Sequence, residues 1–371
     1  VLENIIEQEI NPSRISIARK RRGMTKTQLA TRIGVDLRSV SNYESGASIP
    51  TTETLAKLVL ALGFPVEFFY GEDLEPIENV SFRSLARMTA KQRDMALSQG
   101  SLALWLSSWL EKKFELPPSN LPELRLEAND AEAAAASLRR IWNLGEMPIR
   151  NMVHLLESNG VRVFSLSIDA KEVDAFSFWS GDNPVVLLNT FKSAERSRFD
   201  AAHELAHLVL HRHGGPSSSR DAETQADNFA SAFMMPKGSV DANAPRFPKV
   251  SDLIRLKKIW GTAASAVNYR LHKLKHMSDW HYRSLCIQLS SRGYHLHEPN
   301  GIKRESSVLL PKLLANLYEE DGLTRTAIAN ELSIPKSELD QLLCGLTISG
   351  IEGSRRGDPP IGNSSGLLLV K

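Results

Sequence analysis

The stretch Ala194-Glu195-Arg196-Ser197-Arg198-Phe199-Asp200-Ala201-Ala202-His203-Glu204-Leu205-Ala206-His207-Leu208-Val209-Leu210-His211 decides the reading of this chain. Phe199, Ala202, Ala206, Leu208, Val209 and Leu210 bury the rest of one long helix, which leaves the histidine pair in a core-lined cleft. His203 and His207 are four residues apart. Both imidazoles therefore leave the same helix face and can share one metal ion. Glu204 is adjacent. It suits a general base that holds and deprotonates a water at the metal better than it suits a ligand. Neutral imidazoles and an open fourth position are what zinc hydrolysis requires.

Working outward, Asp221–Met234 reads as a second helix, with Phe229, Ala230, Phe233 and Met234 on its apolar face. Glu223 and Asp227 share another face of it. Glu223 is the preferred third ligand. Asp227 is placed to orient a ligand histidine through its free ring N–H. The rival third ligand is His213, six residues beyond His207, the spacing of the metzincins. Those enzymes turn the chain with Gly three residues after the second histidine, where this chain has Leu210 and a continuing helix. His211, one turn past His207, is either an outer group of the site or a helix-end histidine favoured by the dipole.

Before this helix pair come an Ala-rich helix, Ala131–Trp142, and a helix opened by Pro148 at its first position and running through Leu156. Three β runs follow, at Val161–Leu166, Val173–Trp179 and Val185–Asn189. The last two are separated by the turn Gly181-Asp182-Asn183-Pro184. Beyond Ser251 helices alternate, with helix-turn-helix-like spacing at Leu253–Lys273 and Thr324–Leu346. The acidic stretch 71–80 and the proline-bearing stretch 116–128 read as linkers flanking an amphipathic helix, Ser81–Phe114.

A chain of 371 residues suggests two or three domains. Hydrophobic residues make up 42% and charged residues 24%, the balance of a globular domain. No run of 18 apolar residues exists, so no membrane span is expected. The first residues lack the basic and apolar regions of a signal peptide. Cys286 and Cys344 are too few for a disulfide scaffold. The expectation is a cytoplasmic protein.

The net charge is only +2, yet Arg14, Arg19, Lys20, Arg21, Arg22, Lys26, Arg32 and Arg38 crowd residues 11–40 beside a single acid, Asp36. Such a local patch suggests a polyanionic partner. The same region reads as short helices. Thr25 caps the second and Gly34 stops it, Asp36 caps the third, and Gly46 and Gly63 end the third and fourth. A helix, a tight turn and a second helix form the DNA-reading unit. Arg38, Ser39 and Asn42 would face base edges, Lys26 and Gln28 would meet phosphates, and Arg19–Arg22 would add phosphate contacts. Ala18-Arg19, Gly23-Met24-Thr25, Leu29-Ala30, Gly34-Val35, Val40-Ser41, Tyr43-Glu44 and Gly46 resemble the XRE family of phage-repressor-like regulators over residues 12–70. The resemblance implies an operator-binding homodimer on double-stranded DNA.

Residues 131–273 resemble the ImmA/IrrE family of bacterial metallopeptidases. The matching pieces are Ala133-Ala134 to Trp142 with Pro148, Asp174-Ala175-Phe176-Ser177, Val185–Asn189, Arg198-Phe199 with Ala202-His203-Glu204-Leu205-Ala206-His207 and His211, and Glu223 with Ala226-Asp227, Phe229-Ala230 and Met234-Met235-Pro236. Ala206 stands where the family usually has Gly. The resemblance implies zinc held by His203, His207 and Glu223, with Glu204 as catalytic base and Val185–Asn189 as the cleft strand that holds an extended peptide. It also implies a protein substrate or partner, a repressor or a toxin. A transition-state donor is not evident; Tyr269, Arg270 and His272 are the candidates, each with a structural alternative. The expected fold is mainly α with a small antiparallel β-sheet (α+β). The expected divisions are a five-helix XRE-like domain at 1–75, a helical linker at 76–128, a zincin-like domain at 129–280 and an α-rich region at 281–371. The alternative function is a repressor or antitoxin whose zincin-like domain binds a partner or senses a signal without proteolysis.

Overall fold

In the computed structural model, which describes residues 9–75, 77, 88–125, 130–167, 175–212, 219–294 and 297–347, the chain opens with α1 (Pro12–Arg21), α2 (Lys26–Ile33), α3 (Leu37–Ser45) and α4 (Thr52–Leu62). Their limits follow from local chemistry. Thr25 and Gln28 form a reciprocal capping box on α2, and Gly34 ends it at φ 73°, a left-handed conformation that costs glycine nothing. The Asp36 side chain accepts the Ser39 N–H to cap α3, and Thr51 caps α4. The expected fifth helix is a short 3-10 turn, Val66–Tyr70, which Pro65 introduces and which buries Phe68 and Phe69. Ile15, Leu29, Ile33, Val40, Leu58 and Leu62 complete this core.

The stretch expected to connect the modules carries α5 (Ala90–Glu111), capped by Thr89 and Gln92. It packs against α1 and reaches the sheet, where the Gln99 amide donates to the Ser165 carbonyl at 2.9 Å. Gly100 permits that approach: a Cβ there would lie 2.3 Å from Ile77 and 3.5 Å from the Phe176 ring.

Next come α6 (Ala131–Ile141), α7 (Met152–Ser158), β1 (Arg162–Ser165), β2 (Ala175–Ser180), β3 (Asn183–Leu188), α8 (Ala194–Leu210), α9 (Ser219–Met234), α10 (Lys237–Asn243), α11 (Val250–Trp260) and α12 (Ala264–Lys273). Helix α7 begins after Asn151, its cap, not at Pro148. The carbonyls of Ile149 and Arg150 are instead taken by the Arg198 guanidinium, at 2.7 and 3.3 Å.

The sheet has the order β1-β3-β2 and is mixed, which corrects the expectation of a wholly antiparallel one. The turn at Gly181 folds β2 and β3 into an antiparallel pair, Ala175 opposite Leu188. On the other side of β3, β1 runs parallel, Arg162 opposite Val185. The unbroken burial of Pro184, Val185, Val186, Leu187 and Leu188 is that of a central strand covered on both faces. The start of the second expected strand, residues 173 and 174, and residues 81–87 of the amphipathic helix lie outside the described residues.

The C-terminal region contains α13 (Asp279–Ser291), α14 (Leu309–Asp321), α15 (Arg325–Glu331) and α16 (Lys336–Leu343). In this second helix-turn-helix pattern the element that would enter DNA, α16, buries Glu338, Leu339, Leu342 and Leu343. Arg21, the last residue of α1, and Arg22, its C-cap, both close on the Glu338 carboxylate, at 2.7 and 2.5 Å. Helix α16 also packs on β1, and the Ser167 hydroxyl donates to the Gln341 carbonyl at 3.0 Å. The α15–α16 pair is a packing module wedged between the N-terminal helices and the sheet. No helix among the described residues is long and apolar enough to cross a membrane.

Candidate metal centre and helix-turn-helix face

Helices α8 and α9 lie against each other. Their contact brings Glu223 of α9 up to the His203–His207 pair on one face of α8. The Nε2 atoms of His203 and His207 are 3.1 Å apart. Glu223 sets Oε2 3.6 Å from the first and Oε1 3.4 Å from the second. Three donors each about 2.0–2.1 Å from a tetrahedral zinc would be separated by about 3.3 Å. The triangle therefore fits that ion, and these three residues form the one such group found among the described residues. His213, the rival third ligand, lies outside the described residues.

The outward nitrogens are also engaged. His203 Nδ1 meets Asp227 Oδ1 at 2.9 Å. His207 Nδ1 meets His211 Nδ1 at 3.0 Å, and His211 Nε2 meets Gln225 Oε1 at 2.9 Å. Both candidate ligands thus turn Nε2 to the same point. Their proton affinities differ sharply. Burial disfavours the His203 imidazolium, but the bonds to Asp227 and Glu223 outweigh it and hold the ring up at about 10. Burial pushes His207 down to about 4. Glu223, despite its own burial, is held far below the usual carboxylate range by the two imidazoles.

Glu204 is 3% exposed. Burial pushes it up to about 6, partly offset by His203 and by a hydrogen bond from Ser177. The Ser177 hydroxyl on β2 donates to Glu204 Oε2 at 2.6 Å. The site opens into a cavity of about 720 Å³ whose walls include Phe199, Glu204, Glu223, Tyr269 and Tyr294. Phe199 was expected to bury the helix back, but it is only half-buried and faces this cavity.

Of the three donor candidates, the cavity holds only Tyr269, whose hydroxyl donates to Asn228 Oδ1 at 3.2 Å. Arg270 is buried and grips Glu132 with both terminal nitrogens, at 2.6 and 2.5 Å. His272 pairs with Asp279 at 2.7 Å and stacks on Tyr282. The strand expected to hold a peptide, Val185–Asn189, is mostly β3, and both of its edges are already paired. Beside α8 it is β2 whose outer edge carries no further strand among the described residues. Ser177 and Gln225 escaped sequence reasoning. One arrives from a strand, and the other lies two residues from Glu223, off its helix face.

At the N-terminus, α3 packs on α1 and α2 with Val40 inward. Arg38 is exposed, and Ser39 and Asn42 are half-buried. Gln28 is exposed, although its Oε1 accepts the Thr25 N–H. Lys26 sits 3.6 Å from Glu44. Leu37, the first residue of α3, is 48% exposed and was not singled out from the sequence. The basic run is different from expectation. Arg14, Arg19 and Arg21 are buried. Arg19 forks onto Glu44 at 2.5 and 3.0 Å, and Arg21 and Arg22 are spent on Glu338. These arginines build the fold and are not turned outward toward phosphates.

These features place a helix-turn-helix module and a candidate metal site in one chain. Comparison with known families agrees: a helix-turn-helix family model matches residues 15–69, and the IrrE N-terminal-like domain, a peptidase family, matches residues 156–272. The chain is a fusion of an XRE-type helix-turn-helix DNA-binding domain with an IrrE-like peptidase domain. No curated protein matches it.

Proposed function

We propose that the protein is a cytoplasmic transcriptional regulator, binding its operator as a homodimer, whose IrrE-like domain is a zinc endopeptidase that cleaves a partner repressor or toxin. The observation that carries this reading is the donor triangle of His203, His207 and Glu223 with the buried carboxylate of Glu204 beside it. When bound, zinc supplies a Lewis acid and lowers the pKa of water. Glu204 takes the proton of the attacking water and hands it to the leaving amine. The Ser177 bond to Oε2 leaves Oε1 for that exchange. A carboxyl raised to about 6 suits a group that accepts and returns a proton near neutrality. Tyr269 on the cavity wall is the donor for the developing oxyanion. The substrate adds to the outer edge of β2 as an extended strand. On α3, Arg38, Ser39 and Asn42 read bases while Lys26 and Gln28 hold phosphates, and Leu37 meets a thymine methyl.

A second reading, a sensor that binds a partner without cutting it, draws support from the Arg21–Arg22–Glu338 contact, which ties the DNA-reading helices to the rest of the chain. Glu204→Gln separates the two. The zinc-loaded protein and this variant are each incubated with the protein encoded by the neighbouring gene, and fragments are read by mass spectrometry. Cleavage by the wild type that the variant abolishes while keeping its zinc supports the peptidase. A variant with full biological activity and bound zinc leaves the sensor standing.

A further inference from the structure

The two histidines of the centre are held by unlike partners. His203 leans on a carboxylate, Asp227, at 2.9 Å. His207 instead leans on a second imidazole, His211, at 3.0 Å, nitrogen Nδ1 to nitrogen Nδ1. A contact between two such nitrogens needs one proton: one ring must donate and the other accept. His211 in turn ends on the amide of Gln225, with Nε2 2.9 Å from Oε1. Two polarities of this chain are conceivable. If the Gln225 NH2 donated inward, His211 would donate from Nδ1, and the His207 proton would be forced onto Nε2, the nitrogen that faces His203 and Glu223. A protonated Nε2 has no lone pair to offer a metal. With the Gln225 carbonyl facing His211, every position reverses. His211 donates from Nε2, its Nδ1 accepts, and His207 carries its proton on Nδ1 and presents a free lone pair from Nε2.

Resting on the zinc-ligation reading above, we infer that His211 and Gln225 are positioning residues: they form a neutral imidazole–amide relay that fixes the tautomer of His207 and holds its Nε2 toward the metal. The relay adds no net charge to the centre, whereas the Asp227 arm brings a carboxylate. Partners of this kind raise ligand basicity and fix ring orientation. The two ligands are thus oriented by chemically different means, and His207 depends on the weaker one.

The test measures the zinc dissociation constant by chelator competition, and the visible spectrum of the cobalt-loaded protein, on the full chain and on His211→Leu, His211→Asn and Gln225→Leu. The side-chain oxygen of Asn stands where Nδ1 of histidine does and can accept the same proton. His211→Leu is expected to weaken zinc by about 10–100-fold, the usual effect of losing such a partner, and to change the cobalt spectrum. His211→Asn is expected to restore affinity to within about threefold of the wild type, and Gln225→Leu to fall between them. Melting of the metal-free proteins identifies any variant that fails to fold; if His211→Leu fails, Gln225→Leu against His211→Asn decides. His211→Leu binding as tightly as the wild type, or His211→Asn as weak as His211→Leu, overturns the relay while the zinc site stands. A wild-type chain that takes up no zinc overturns the metal reading and the relay with it.

Discussion

The two candidate histidine ligands have unlike proton affinities in the metal-free site, about 10 for His203 and about 4 for His207. At pH 7 His203 holds a proton that zinc must displace, while His207 is already neutral and Glu223 already ionised. Zinc binding at pH 7 should therefore release about one proton, and apparent affinity should rise about tenfold per pH unit until His203 titrates. Calorimetry in two buffers of different ionisation enthalpy measures this number; a value of zero would show that His203 enters the site neutral. The proposed roles also separate by substitution. Glu223→Gln should lose zinc, because an amide is a poor ligand, and Glu204→Gln should keep it. The reverse order would exchange their roles. At this scale much was legible. The four-residue spacing of the histidines and the shared face of Glu223 and Asp227 follow from helix geometry alone. The roles of Ser177 and Gln225 were not legible, because nothing in helical periodicity links the first to Glu204 or the second to His211.

Individual elements were readable where their signals are local and obscure where a partner is distant. Thr25, Gly34, Asp36 and Gly63 mark helix limits that the structure keeps. The turn at Gly181-Asp182-Asn183-Pro184 likewise specifies its hairpin. The parallel placement of β1 depends on a crossover and has no such mark. Helix α1 is the sharper case: its arginines look like a DNA-binding run, but their acceptors lie on α3 and α16. That makes Glu338 a sensitive position. It is fully buried and accepts from two guanidinium groups. Glu338→Ala would leave both without their counter-charge inside the protein, a loss of about 3–5 kcal/mol for a broken buried pair. Chemical denaturation of the wild type and variant measures it. A cost below about 1 kcal/mol, the range of a surface pair, would mean that α16 does not stay docked on α1 in solution.

The same contacts bear on how the molecule, as proposed, would meet DNA. Of the eight basic residues between Asn11 and Val40, Arg14, Arg19, Arg21 and Arg22 hold partners in the fold. Lys20, Arg32 and Arg38 remain toward solvent, and Lys26, beside Glu44, keeps its side chain 40% exposed. Each phosphate neutralised contributes about −0.9 to the slope of log affinity against log salt. Four available cations from this module give a slope no steeper than about −4 per chain, whereas eight would give about −7. Binding of the full chain to a non-specific duplex, titrated between low and physiological salt, distinguishes the two. The steep value would require the arginines to leave Glu44 and Glu338, freeing α1 from the C-terminal module when DNA is bound. The shallow value fits helices that remain anchored, so that affinity depends more on base reading by α3. In that case Arg38→Ala should relax sequence preference in duplexes selected from a random pool, by about 1–3 kcal/mol at one base position. An unchanged footprint would move the reading face away from α3.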